Sequence, residues 1–141
     1  MICLPDVNLW IALTSDRHVH HSLAKNWLSA QSESQIAFCR ITELGFLRLL
    51  TNAHVMGVDV LSPQHAWRIY DAWRMDPRVL FLEEPPGFSA QWRFHGEKIR
   101  GGPNAWTDAF LATFSTSTNS TVVTLDRRFV TLDIAQVIVL S

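Results

Sequence analysis

At 141 residues the chain has the length of one domain, 1–141, and is large enough to bury a core without disulfide or metal staples. Apolar residues make up 48% and charged residues only 18%, which excludes a disordered chain. A formal net charge of −1 excludes a general basic field for nucleic acid, so any phosphate binding must be local, through cations or a few arginines.

The first apolar run, Ile2 to Pro5, predicts a strand, and Asn8 is expected to cap a helix through Leu9 to Leu13. A second helix is expected over His20 to Gln31, with Leu23, Trp27 and Leu28 at helical spacing. Gln35 to Cys39 reads as the next strand, and Thr42 as the cap of a helix whose Phe46, Leu47, Leu49 and Leu50 turn inward. Ser62-Pro63 starts a helix through Trp67, Ile69, Tyr70 and Trp73 that stops before Pro77. Val79 to Leu82 is a continuous apolar strand, followed by a helix expected from Trp92 to Ile99. After the break at Gly101-Gly102-Pro103, Asn104 is expected to cap a helix from Ala105 to Phe114, apolar nearly all round and so expected in the core. A loop, 115–120, leads to a strand at Thr121 to Leu125, and Val137 to Leu140 closes the set. Strands alternating with helices predict an α/β fold, a three-layer α/β/α sandwich around a mostly parallel five-stranded sheet.

Cys3 and Cys39 both fall in strands, without metal-type spacing, which points to reduced core thiols. No apolar run approaches the ~20 residues needed to span a bilayer, and no charged leader opens the sequence. These features predict a soluble, cytoplasmic protein.

Four carboxylates stand at the edges of apolar segments: Asp6, Glu43, Asp108 and Asp126. Asp6 and Asp126 each close a strand, and the carboxyl ends of parallel strands are where open α/β sheets bind ligands. Glu43 shares a helical face with Leu47 and Leu50, and Asp108 shares one with Ala112, so both point toward apolar surroundings. A buried ionised carboxylate must be neutralised, paired or bound to metal. Only two lysines exist, Lys25 and Lys98, and neither lies in these segments, which makes a divalent cation the more economical counter-charge. Oxygen-only ligands favour Mg²⁺, with Mn²⁺ as a substitute, and such ions support hydrolysis of a phosphodiester by water. Each acid alone reads better as a helix-terminus or turn residue; the four together read as a site.

With those residues assembled, the chain resembles the PIN-domain ribonucleases, in particular the VapC-type toxins of toxin-antitoxin modules. The resemblance runs over the whole chain and rests on Pro5 to Trp10, Ile41 to Arg48, Trp106 to Leu111 and Thr124 to Phe129. It implies an endoribonuclease that cuts single-stranded RNA with Mg²⁺. Asp6 and Asp108 would be the strongest metal ligands, Glu43 would support the metal or orient water, and Asp126 would complete an acidic quartet. Thr124 and Asn104 would lend weaker support. The resemblance also implies a cognate antitoxin that holds the enzyme inactive, and a homodimer.

Other signals have plainer readings. His18 and His21 are three apart, yet no Cys or His cluster completes a zinc site, so a solvated helix entrance is expected. Trp27 is expected in the core, while Trp67, Trp73 and Trp92 are open as interface anchors. Arg127 and Arg128 either grip the RNA backbone or form a surface pair. A haloacid-dehalogenase-like phosphatase is the rival enzyme, because Asp6-Val7-Asn8 imitates its Asp-x-Asp signature, but Asn8 breaks the match and no lysine is near. A non-catalytic PIN-like binding module is the rival without chemistry, and its sign would be loss of one or more acids.

Overall fold

The computed structural model describes residues Met1 to Ser141. Five strands form one sheet: β1 (Ile2–Pro5), β2 (Gln35–Cys39), β3 (Val79–Leu82), β4 (Thr121–Thr124) and β5 (Val137–Val139). Their order is β3-β2-β1-β4-β5 and every pairing is parallel, which agrees with the α/β reading of the sequence. β1 to β3 are laid down in one direction, and the chain then crosses back to set β4 and β5 on the other side of β1. That reversal opens a crevice at the carboxyl ends of β1 and β4.

Seven helices cover the two faces: α1 (Val7–Thr14), α2 (His21–Ser29), α3 (Arg40–Leu50), α4 (Ala53–Met56), α5 (Pro63–Met75), α6 (Phe88–Gly96) and α7 (Asn104–Ser117). Alternation along each strand supplies the two cores. Cys3, Ile36, Phe38 and Val123 face α1, α2, α3 and α5, packing with Trp10, Phe46, Leu50 and Tyr70. Leu4, Ala37, Cys39 and Val122 face α6 and α7, packing with Phe88, Leu111, Phe114 and Phe129. Trp10 anchors the larger core, stacked on Phe38 at 3.8 Å and edge-on to Trp73 at 5.3 Å. Its indole Nε1 is buried without a hydrogen-bond partner, which costs about 1–3 kcal/mol against the area it buries.

Several boundaries differ from the sequence expectation, each for a local reason. Asp6, not Asn8, caps α1, because Asp6 is extended and its carboxylate accepts the Leu9 N–H at 2.9 Å. α3 begins at Arg40, two residues before the expected Thr42 cap; the Thr42 hydroxyl reaches back to the Cys39 backbone from inside the first turn. α6 starts at Phe88 rather than near Trp92, after Gly87 turns the chain at φ +82°. α7 starts at Asn104 with no side-chain cap and runs on to Ser117, taking in half of the expected loop. Its burial also departs from expectation: Asn104, Trp106 and Thr107 are exposed and only Ala109 onward enters the core, because its first turn forms the rim of the crevice. The short α4 has too little periodicity to be read from sequence. No helix is long and apolar enough to cross a membrane.

α1 and α3 pack closely, and Gly45 is what permits it. A Cβ built at residue 45 would lie 2.6 Å from the Val7 Cγ2. Alanine for glycine inside a helix ordinarily adds about 1 kcal/mol of stability, whereas overpacking a tight contact costs about 1–3 kcal/mol. The Val7 side chain is β-branched and stiff at χ1, so overpacking should win. Gly45→Ala is therefore expected to lower the urea midpoint, and a rise would show that Val7 turns aside freely.

Candidate active site

The crevice at the strand ends is a cleft of about 370 Å³. Asp6, Asp108 and Asp126 line it, with Asn8, Thr42, Asn104, Thr107, Arg48 and Arg128 and an apolar floor that includes Ile41, Leu44 and Leu111. Three separate elements deliver the acids: the end of β1, the second turn of α7 and the residue two past β4.

Asp6 is held most tightly. Its backbone N–H donates to the Val123 carbonyl at 3.0 Å, continuing the β1–β4 ladder by one residue. That register sets Asp6 beside Thr124, whose hydroxyl donates to Asp6 Oδ2 at 2.5 Å while accepting the Asp126 N–H at 2.9 Å. Asp6 is only 7% exposed, and burial pushes its carboxyl up to about 6. The hydrogen bonds from Thr124 and Leu9 pull the other way, and Asp108 and Asp126 add to the rise. Asp108 is half-buried, accepts no protein hydrogen bond and has no ion-pair partner; burial and then Asp126 raise its carboxyl, with Arg128 partly offsetting them.

Asp126 is in a different state. The Arg128 guanidinium donates to it through Nε and Nη2, at 2.9 and 2.7 Å to Oδ2, and the Arg128 backbone N–H caps it at 2.9 Å. Arg128 thus holds the Asp126 carboxyl below its ordinary value. Of the arginine pair, Arg128 is engaged in this way, and the exposed Arg127 does not line the cleft.

Glu43 does not join the three aspartates. Its carboxylate accepts from Arg40 Nη1 at 2.6 Å and lines a separate cleft with Arg40, Arg74, Phe81 and Glu83. Helix geometry explains the separation. Ile41, Leu44, Gly45, Arg48 and Leu49 share one side of α3 and face the aspartates, while Glu43 projects from the opposite side with Leu50. The expected quartet is in this structure a trio, and only Asp6 and Asp108 lack an arginine. Thr124 bonds Asp6 directly, and Asn104 stands exposed at the rim. Within the stretch Ile41 to Arg48 the sequence singled out Glu43 and gave Ile41, Leu44, Gly45 and Arg48 no part in the site; their recurrence at helical spacing was the available signal.

No group of three His, Cys, Asp or Glu side chains is arranged to hold a metal. Mg²⁺, however, keeps several waters and is commonly bound through one or two carboxylates. Asp6 and Asp108, all-oxygen and without a cationic partner, fit that pattern.

Among the other signals, Trp73 belongs to the core, donating from Nε1 to the Thr14 hydroxyl at 2.9 Å. Trp92 packs edge-on against Phe110, and Trp67 is 48% exposed. His21 Nδ1 lies 2.7 Å from the Ala12 carbonyl, and His18 Nδ1 accepts the His20 N–H.

The PIN domain family model matches residues 3–135. The chain belongs to the PIN-domain family. Curated relatives of this PIN domain are VapC ribonucleases. It is 38% identical over 131 residues to Ribonuclease VapC41 of Mycobacterium tuberculosis, covering 89% of this chain and 90% of that one. It is 30% identical over 142 residues to Ribonuclease VapC44 of the same organism, covering 94% and 87%. Among solved structures its fold is similar to VapBC2 of Rickettsia felis bound to a promoter DNA fragment, with a TM-score of 0.72 at 13% identity over the full length of both. M. tuberculosis VapC20, a toxin that cleaves the sarcin-ricin loop, gives 0.69 at 13% identity over 99% of each chain.

Because the Asp6 pKa is raised on folding, its contribution to stability is complete below its ordinary value, near 4, and is lost as pH rises through about 6. In metal-free protein, the unfolding free energy of the wild type relative to Asp6→Asn is expected to fall by on the order of 3 kcal/mol between about pH 4 and pH 7. Parallel stability curves for the two proteins across that range would contradict the burial of a charged Asp6.

Proposed function

We propose that this PIN domain is a metal-dependent endoribonuclease and the toxin of a toxin-antitoxin pair. One observation carries the reading. In a chain whose full-length relatives are named ribonucleases, two carboxylates without a cationic partner meet in one cleft at the sheet's reversal point. Asp6 and Asp108 would hold Mg²⁺ or Mn²⁺, which supplies Lewis-acid help to attack by water at phosphorus and offsets the charge that builds on the phosphate. Thr124 fixes the Asp6 carboxylate in place through its hydroxyl and, through its bond to the Asp126 N–H, keeps the two strand-end acids in register. Arg128 holds Asp126 neutralised at the rim, so that acid can join the ion only by giving up its guanidinium. Glu43 takes no part, being turned to Arg40.

The cognate antitoxin belongs to the same proposal. Exposed Leu44 and half-buried Ile41 and Leu49 line the cleft and give a protein partner an apolar footing beside the acids. A homodimer, one domain over 1–141 and a cytoplasmic setting, to which the two free buried cysteines are suited, complete the reading. A second reading is a PIN module that binds RNA or a partner without cutting, and the pairing of Glu43 and Asp126 with arginines favours it.

The purified protein is expected to cleave single-stranded RNA with Mg²⁺ or Mn²⁺ and to stop on chelation. Asp6→Asn or Asp108→Asn should abolish cleavage at unchanged far-ultraviolet circular dichroism, while Glu43→Gln should retain it. Cleavage that survives chelation or both aspartate substitutions sinks the nuclease reading, and metal-dependent stabilisation without any cleavage selects the binding module.

A further inference from the structure

The cleft contains two cations, and they are in opposite states. Arg128 is committed to Asp126 through three side-chain hydrogen bonds. Arg48 lines the same cleft, is exposed, and enters no ion pair or side-chain hydrogen bond. The remaining polar lining, Asn8, Thr42, Asn104 and Thr107, is neutral. A divalent ion at Asp6 and Asp108 would receive the scissile phosphate, and with Arg128 spent on Asp126 a neighbouring phosphate of the RNA needs a further cation. Arg48 is the available one.

Its place on α3 suits that task. Long side chains on a helix lean back over the residues three and four positions earlier. For Arg48 these are Gly45 and Leu44, both part of the cleft wall. Gly45 adds no side chain of its own to that stretch of the wall, where Val7 of α1 packs instead. A guanidinium at the end of that reach offers a planar fork that matches phosphate oxygens in a bidentate way, which an ammonium does not.

We propose that Arg48 is the phosphate-binding residue of the cleft, receiving the RNA backbone opposite Asp6 and Asp108. This rests on the ribonuclease reading and adds the residue that recognises the substrate's charge. Arg48 also lies in the last turn of α3, where a cation favours the helix terminus by about 0.3–1 kcal/mol. A purely structural role would therefore appear in melting and leave RNA affinity untouched.

The test uses the full chain carrying Asp108→Asn, so that RNA is bound and not cut, with Mg²⁺ present. Binding of a fluorescein-labelled single-stranded RNA oligonucleotide is followed by anisotropy across a salt series. Adding Arg48→Ala should weaken binding by about tenfold or more and reduce the slope of log K against log salt by about 0.7, the signature of one lost phosphate contact on a single strand. Arg48→Lys should restore the slope but only part of the affinity. Unchanged affinity and slope in Arg48→Ala would overturn the assignment of Arg48 alone. Failure of the Asp108→Asn parent to bind the oligonucleotide, with the wild-type protein also failing to cleave it in Mg²⁺, would overturn both this inference and the ribonuclease reading.

Discussion

The arrangement of the whole cleft depends on one buried carboxylate, Asp6. Its two oxygens are divided between two elements: Oδ1 accepts the Leu9 N–H and so starts α1, while Oδ2 accepts the Thr124 hydroxyl at the end of β4. The same residue ends a central strand, opens a helix and ties the strands on either side of the sheet's reversal. A neutral side chain could satisfy those hydrogen bonds, so they do not by themselves account for a charge in this place. Burial raises its pKa, so keeping a charge there is costly, and a strongly shifted group in a cleft marks a candidate site.

The electrostatics divide the acids into two kinds. Glu43 and Asp126 are ion-paired with arginines two or three residues away in sequence, a local solution that needs nothing from the rest of the fold. Asp6 and Asp108 are brought together across more than a hundred residues and have no such partner. The locally paired acids have a cationic counter-charge, and Asp6 and Asp108 have none. That contrast divides the four acids more sharply than burial does, since Glu43 is as buried as Asp6. Packing shapes the same cleft, because Gly45 lets α3 close on α1 and lines the wall together with Arg48.

Much of this was legible in the sequence. Strand and helix alternation, the strand-end positions of Asp6 and Asp126, and the lone charge of Asp108 in an apolar helix all follow from periodicity, which acts over a few residues and is printed in the chain. Even the turning away of Glu43 was present in outline. Its shared face with Leu47 and Leu50 set it opposite Gly45 and Arg48, so one helix could not offer both sides to one cleft.

What the sequence by itself determined is therefore the fold class, the order of the strands' acidic ends and the shortage of lysines to neutralise them. Only the tertiary structure decided which carboxylates share a cavity and which arginine is free. Those outcomes depend on the register of β1 against β4 and on the close approach of α3 to α1, contacts between segments far apart in the chain. The pairing of Arg128 with Asp126 is local, but that Arg48 stands unpaired in the same cleft follows from the packing of α3, which no local pattern encodes.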